Sequence, residues 1–139
     1  MDQSLIFFLG AVMFVGALLL IVVSFLKKGV NQLDVEKYRA KCLTIEHQLK
    51  KDEPSSYHLS VMNADKLLDQ ALRERGIRGK TMGERMKNSA QLFSDRNGIW
   101  TAHKLRNQIA HESDVFVSYD QARYALANFR KALKDLGAI

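Results

Sequence analysis

The chain has 139 residues, 47% of them hydrophobic, and a formal net charge of +6. This length suits one modest domain plus a terminal segment. Its single cysteine excludes a disulfide framework and a cysteine-based zinc site, and the sequence contains no Gly-rich phosphate loop, HExxH or GxSxG motif. We therefore expect neither a metal nor a cofactor.

The first feature along the chain is an uncharged apolar run over residues 5–26, LIFFLGAVMFVGALLLIVVSFL. As a helix rising about 1.5 Å per residue it would span about 33 Å, enough to cross a ~30 Å hydrocarbon core. We predict a transmembrane anchor over residues 1–28, with residues 5–26 in contact with membrane lipid. A cleaved signal peptide is the alternative. It fits less well, because Asp2 replaces a basic start and no small-residue cleavage site follows.

The charge distribution predicts the orientation of this anchor. Lys27 and Lys28 close the apolar run, and only Asp2 carries charge before it. The positive-inside rule then predicts a protein of the cell (inner) membrane, with a short N-terminus outside and the C-terminal domain in the cytoplasm. Without Asp2, 14 acidic residues remain against 21 basic ones, a net charge of +7. Such a balance suits a neighbouring anionic lipid surface or RNA.

Residues 29–54 are predicted to contain a juxtamembrane helix over Asn31–Lys51. Apolar residues recur there at intervals of three and four over two heptads: Val35, Tyr38, Cys42, Ile45 and Leu49. This seam suits the first helix of a bundle or a dimerising stem above the membrane. Cys42 lies in the seam, so we interpret it as a small buried hydrophobic residue.

Residues 55–139 are predicted to form the core of a helical bundle. We expect helices over Ser55–Arg75, from a Thr81–Glu84 capping box, over Trp100–Glu112, and from a Ser118–Gln121 capping box to Gly137. A turn is expected at residues 94–98, SDRNG. No stretch alternates with period two. The predicted fold class is therefore all-α, with one N-terminal transmembrane helix and a cytoplasmic bundle of about five helices.

The helix predicted over WTAHKLRNQIAHE concentrates the candidate chemistry. His103, Asn107 and His111 follow one another at steps of four and share a face. Arg106 instead falls on the apolar arc, where an unpaired charge is costly, so it needs an anion. That anion is either a phosphate of a ligand or a carboxylate of the protein. Three carboxylates are candidates, of which Asp65 lies at the edge of the apolar arc of its own helix: Asp65, Glu84 and Asp114.

The residues LRNQIAH, with Arg106, Asn107 and His111, resemble the signature of the HEPN superfamily. The resemblance implies an all-α bundle of about this size, usually a homodimer, which in catalytic members cleaves RNA without a metal. It implies that Arg106 binds the scissile phosphate, that His111 is the general acid or base, and that Asn107 orients the histidine or the phosphate. His103 and Lys104 lie outside the signature and are candidate phosphate contacts.

Two functions follow as hypotheses. The first is RNA binding or metal-independent RNA cleavage at a dimer cleft centred on Arg106, Asn107 and His111. The second is a non-enzymatic membrane adaptor whose bundle binds a protein partner, with the motif serving the fold and dimerisation. The chain as a whole, with its DLGAI end, also resembles small membrane-anchored bacterial proteins, a likeness that implies no activity. Saturation of Arg106 by an internal carboxylate, with His111 away from any cleft, would favour the adaptor, whereas both residues on a basic groove or a two-fold interface would favour the nuclease.

Overall fold

The computed structural model describes residues 2–27 and 31–139, and these residues form helices and connecting segments without a strand. The helices are α1 (Gln3–Lys27), α2 (Val35–Gln48), α3 (Pro54–Glu74), α4 (Met82–Asn88), α5 (Arg96–His111) and α6 (Tyr119–Asp135), with one 3₁₀ turn at Ala90–Leu92 between α4 and α5. The all-α prediction is confirmed. The chain divides into two compact units between residues 31 and 32.

The first unit is helix α1. Its side chains are exposed from residue 3 to residue 25, and this stretch has a mean hydropathy of 3.0. It is the one helix in the described part of the chain that is long and apolar enough to cross a membrane; a signal sequence near the N-terminus would share these properties. The basic residue Lys28 and the predicted start of the juxtamembrane segment at Gly29 lie outside the described residues.

The second unit is built around helix α3, which packs against α2, α4, α5 and α6. Apolar residues of α3 at helical spacing, Val61, Leu68 and Leu72, are completely buried. The hydrophobic core of this unit lies entirely between Leu33 and Ala138. Since it carries its own core, we expect the second unit to fold without α1.

Helix α2 is the first helix of this bundle. Tyr38, Cys42 and Ile45 are buried in the common core, whereas Val35 at the start of the predicted seam is exposed. Most of the seam therefore packs against other helices of the same chain. The helix begins later than the predicted Asn31 because the carboxylate of Asp34 accepts a hydrogen bond from the backbone N–H of Lys37 and caps the helix there. It also ends earlier than predicted, at Gln48.

The predicted helix caps are present, with one change of partner. Ser118 and Gln121 form the complete capping box of α6, and Gly137 ends the last helix with a φ of +72°. At α4, the Thr81 hydroxyl accepts from the N–H of Glu84, but the Glu84 carboxylate accepts from the N–H of Lys80, at 2.7 Å, rather than from Thr81. The Glu84 carboxylate thus accepts from the backbone N–H one residue before the one expected.

Helix α5 begins at Arg96, so the predicted start at Trp100 was wrong, as was the turn assigned to residues 96–98. Asp95 accounts for the difference. Its carboxylate accepts a 2.8 Å hydrogen bond from the N–H of Gly98 and caps the helix. Asp, Asn and Gly are common both in turns and at helix N-termini. The composition of residues 94–98 therefore indicates that a helix begins nearby but does not indicate at which residue.

Candidate functional site

The carboxylate of Asp65 lies at the base of the candidate site. It belongs to α3 and is 3% exposed. Oδ1 lies 2.7 Å from Nδ1 of His103, and Oδ2 lies 3.2 Å from Nε of Arg106. His103 and Arg106 are three residues apart on α5 and therefore neighbours on its surface, which lets one carboxylate meet both. Of the three carboxylates considered for Arg106, Asp65 is the one that pairs with it.

Asn107 completes a ring of contacts above this carboxylate. Arg106 Nη1 donates to Asn107 Oδ1 at 3.0 Å, and Asn107 Nδ2 lies 3.3 Å from His103 Nε2. The amide nitrogen can only donate, so Nε2 of His103 accepts and the ring proton is assigned to Nδ1, which donates to Asp65. In this arrangement His103 is neutral and both of its nitrogens have partners within the protein.

Arg106 has part of its guanidinium available to a ligand. Its side chain is 32% exposed. Nε is buried and faces Asp65 as an ion pair rather than as a directed hydrogen bond. Nη1 donates a hydrogen bond to Asn107, while Nη2 forms no hydrogen bond or ion pair with the residues that the structure describes. One nitrogen of a positioned guanidinium therefore remains for an anion.

This guanidinium lines an open groove of about 850 Å³ between α3, the start of α4 and α5. Its walls carry five cationic side chains and two carboxylates, a net charge of +3 with His103 neutral: Lys66, Arg73, Lys80, Arg85 and Arg106 against Asp65 and Asp69. Trp100 forms part of the wall contributed by α5. Excess positive charge in a cleft favours anionic ligands.

The second carboxylate, Asp69, is neutralised by two arginines. Arg85 is 5% exposed, and its Nε and Nη2 donate to Asp69 Oδ1 at 2.8 and 2.6 Å. Its Nη1 donates to the carbonyl oxygen of Gly79, and Arg73 pairs with the other oxygen of Asp69 at 2.7 Å. This cluster was not predicted from the sequence. The spacing of Asp65 and Asp69, four residues apart on one helix, was the available signal.

His111 lies apart from this groove. It is the last residue of α5, is exposed, and does not line the groove that contains Arg106. Five residues along a regular helix separate the two side chains by about 140°, so one chain does not bring them together. Of the three residues that the motif assigns to catalysis, the structure places Arg106 and Asn107 side by side and His111 elsewhere.

The two candidate phosphate contacts differ in exposure. His103 is 8% exposed and engages both nitrogens internally, so it shapes the site rather than offering a donor to a phosphate. Lys104 is exposed and lines a smaller adjoining groove of about 540 Å³, together with Trp100 and Asn107. Among the residues that the structure describes, no group of three or more His, Cys, Asp or Glu side chains is arranged to hold a metal ion.

Comparisons of the chain with protein-family models, with curated proteins and with solved structures gave no match. The resemblance to HEPN domains therefore rests on the residues of the motif alone.

Proposed function

We propose that this protein is a single-pass membrane protein whose second unit is a cytoplasmic HEPN-like domain that binds RNA and cleaves it without a metal, as a homodimer. The observation that supports this most is the setting of Arg106. Asp65 and Asn107 hold two of its guanidinium nitrogens, and Nη2 remains for a phosphate oxygen. A cation that is already positioned stabilises developing negative charge with little reorganisation.

In the proposed reaction, Arg106 binds a non-bridging oxygen of the scissile phosphate and Asn107 keeps the guanidinium in place. The 2′ oxygen attacks phosphorus and the bond from phosphorus to the 5′ oxygen breaks, which leaves a 2′,3′-cyclic phosphate and a 5′-hydroxyl. His111 takes the proton of the 2′-OH or gives a proton to the leaving 5′ oxygen, and water carries the proton at the other oxygen. Histidine suits either role, because an imidazole can both accept and donate a proton near neutral pH.

The separation of Arg106 and His111 on α5 requires that the histidine come from a second copy of the chain. A composite cleft of this kind needs two copies held close together. Anchoring both by α1 in one membrane would raise their effective concentration without any further contact. The net charge of +3 in the groove supports the approach of an anionic strand.

The alternative proposal is a membrane adaptor without enzymatic activity, and two observations favour it. Asp65 neutralises Arg106 within the chain, and His111 does not share the groove. In that case the ring of Asp65, His103, Asn107 and Arg106 joins α3 to α5, and the second unit binds a protein partner.

The test is an RNA cleavage assay in EDTA on the fragment from Gly29 onward and on Arg106→Ala and His111→Ala. Both variants should lose cleavage while circular dichroism and sedimentation show that they remain folded and dimeric. Mixing the two inactive variants should restore part of the activity, because one of the two clefts of a mixed dimer then has both residues intact. Lys134→Ala, on an exposed position of α6, is the matched control.

Two outcomes would contradict the nuclease, and a third would contradict the composite cleft. A dimeric wild-type fragment without cleavage, or cleavage that persists in both variants, would leave the adaptor as the better proposal. A mixture that stays inactive, although both variants are folded and exchange partners, would exclude a cleft that combines Arg106 of one copy with His111 of the other.

A further inference from the structure

A second group of cations lies between the end of α3 and the 3₁₀ turn that follows α4. Residues 75–92, RGIRGKTMGERMKNSAQL, contain five basic residues and one acidic residue, Glu84. Arg85 is buried and paired with Asp69. Within the part of the chain that the structure describes, the other four cations form no ion pair with a carboxylate: Arg75, Arg78, Lys80 and Lys87. Of these four, Lys80 alone lines the large groove.

The turn that carries these cations is fixed to α4. Three successive residues of the turn form hydrogen bonds with side chains of α4: the carbonyl oxygen of Arg78 accepts from Asn88 Nδ2 at 2.7 Å, that of Gly79 accepts from Arg85 Nη1 at 2.6 Å, and the N–H of Lys80 donates to Glu84 Oε2 at 2.7 Å. A Cβ atom at Gly79 would lie 2.7 Å from the backbone nitrogen of Arg85, so the turn and the helix are in close contact. The cations of the turn and Lys87 on α4 therefore belong to one ordered surface.

Aliphatic side chains accompany these cations. Leu92, in the 3₁₀ turn after α4, is 37% exposed, and Ile77 is partly exposed. Residues 75–92 include no aromatic residue. Proteins that bind single-stranded nucleic acid combine cations with aromatic side chains on which bases stack, whereas surfaces that bind bilayers combine Lys and Arg with apolar side chains that enter the headgroup region. This composition favours a lipid surface over RNA. We refer to the four unpaired cations together with Leu92 as the α3–α4 surface.

The connection between α1 and the second unit is short. Seven residues, 28–34, separate the end of α1 from the start of α2. Since an extended chain covers at most about 3.6 Å per residue, this connection reaches no further than about 30 Å. If α1 is anchored in a bilayer, a weak attraction between the second unit and that bilayer acts at a high effective concentration. The cytoplasmic leaflet carries anionic lipid, and each Lys or Arg close to it adds to the attraction.

We propose that the α3–α4 surface docks the second unit onto an anionic phospholipid bilayer, with its four cations at the headgroups and Leu92 beside them. The inference rests on the membrane and cytoplasmic placement in the proposed function. It goes beyond that function, because it needs neither Arg106 nor His111, neither cleavage nor a second copy. A protein that cleaves no RNA would still satisfy it.

The first experiment measures co-sedimentation of the fragment from Gly29 onward with vesicles of phosphatidylcholine, with or without phosphatidylserine. The fragment contains the hydrophobic core of the second unit and lacks α1, so its binding cannot come from insertion of α1. Circular dichroism checks that it is helical and unfolds cooperatively. It should bind the vesicles that contain phosphatidylserine and not the neutral ones. Binding should be lost as salt rises from about 0.1 M to about 1 M, because the Debye length falls from about 10 Å to about 3 Å.

Paired variants locate the contact. Arg78→Gln combined with Lys87→Gln should weaken binding to the anionic vesicles about tenfold or more, because two of the four cations are lost. Lys51→Gln combined with Lys134→Gln, at exposed positions outside the α3–α4 surface, removes the same charge and should bind close to the wild type. His111→Ala should bind as the wild type does, so that loss of the proposed cleavage and loss of lipid binding are distinguished.

A second experiment uses the full-length protein in nanodiscs of phosphatidylcholine, with or without phosphatidylserine, and measures backbone hydrogen exchange. Exchange over residues 75–92 should slow when phosphatidylserine is present. It should not slow in the variant that combines Arg78→Gln with Lys87→Gln. This measurement reports on the contact in the anchored chain, where the fragment cannot.

Three outcomes would overturn the proposal. The first is a folded fragment that binds anionic vesicles no better than neutral ones, including one whose Arg78 and Lys87 bind RNA instead. The second is an equal loss of vesicle binding in the Lys51 and Lys134 control pair, which would indicate attraction through overall charge. The third is hydrogen exchange over residues 75–92 of the full-length protein that phosphatidylserine does not change.

Discussion

Gly98 on α5 and Asn128 on α6 approach each other so closely that no side chain fits at position 98. A Cβ atom there would collide with Oδ1 of Asn128 and would lie 2.6 Å from Oδ2 of Asp95. Asn128 is itself buried and donates to the carbonyl oxygen of Tyr124, at 2.9 Å. Glycine therefore sets the distance between α5, which carries the candidate site, and α6.

We expect Gly98→Ala to destabilise the second unit by about 1–3 kcal/mol, because the added methyl group must displace Asn128 or the Asp95 cap. Urea unfolding of the fragment from Gly29 onward, followed by circular dichroism, measures this change. Gly83→Ala is the matched control, since its Cβ would meet neighbours at an ordinary 3.8 Å. It should be neutral or stabilising by up to about 1 kcal/mol, because alanine is the better helix former. Equal effects at both positions would contradict the prediction.

Asp65 should be the residue that holds the side chains of the candidate site in place. In Asp65→Ala the buried N–H of His103 loses its acceptor and Arg106 loses its counter-charge, so we expect a loss of about 2–4 kcal/mol in the free energy of unfolding. Asp65→Asn keeps one acceptor oxygen and should lose less. Asp52→Ala, at an exposed loop position, should change stability by under about 0.5 kcal/mol. An Asp65→Ala fragment as stable as the Asp52→Ala control would show that the ring of contacts does not stabilise the fold.

Arg85 should not be replaceable by lysine. Its guanidinium makes three hydrogen bonds at once, two to Asp69 Oδ1 and one to the Gly79 carbonyl oxygen. A lysine ammonium keeps the charge but lacks this planar arrangement of donors. We expect Arg85→Lys to lower the free energy of unfolding by about 1–3 kcal/mol, and Arg123→Lys, exposed on α6, to leave it within about 0.5 kcal/mol. Thermal unfolding of both variants under identical conditions tests the difference.

Glu74, at the end of α3, should make stability depend on acidic pH. The Tyr38 hydroxyl, the Gln70 amide and the Lys37 ammonium lie around its carboxylate and lower its pKa to about 2. A pKa lower in the folded than in the unfolded chain means that the stabilisation is complete above the unfolded value, near ~4.3, and is lost as pH falls towards about 2.

Glu74→Gln is the variant that tests this pH dependence. It should be less stable than the wild type at neutral pH, and the difference between the two should shrink as pH falls from about 5 to about 3. Taking the difference removes the contribution of the other carboxylates, which titrate in both proteins. Unfolding in urea at several pH values measures it. A difference that stays constant across this window would show that Glu74 contributes no stability through its charge.

The sequence by itself determined the elements whose signals are local. The uncharged run of residues 5–26 predicted helix α1, because length and apolar composition are sufficient for that decision. The Ser118–Gln121 capping box placed the start of α6, since a cap involves residues within a few positions of one another. The angle between Arg106 and His111 also follows from helix geometry alone.

Only the tertiary structure decided which groups meet across helices. From the spacing within α5, Arg106 needed an anion, and three carboxylates were candidates. The packing of α3 against α5 places Asp65 beside Arg106 and brings His103 to the same carboxylate. The same packing left Trp100 partly exposed at the wall of a groove. Such contacts join residues that are tens of positions apart, and the local pattern of a sequence carries no information about the distance between them. For this reason the fold class could be predicted from the sequence, whereas the chemistry available at the groove could not.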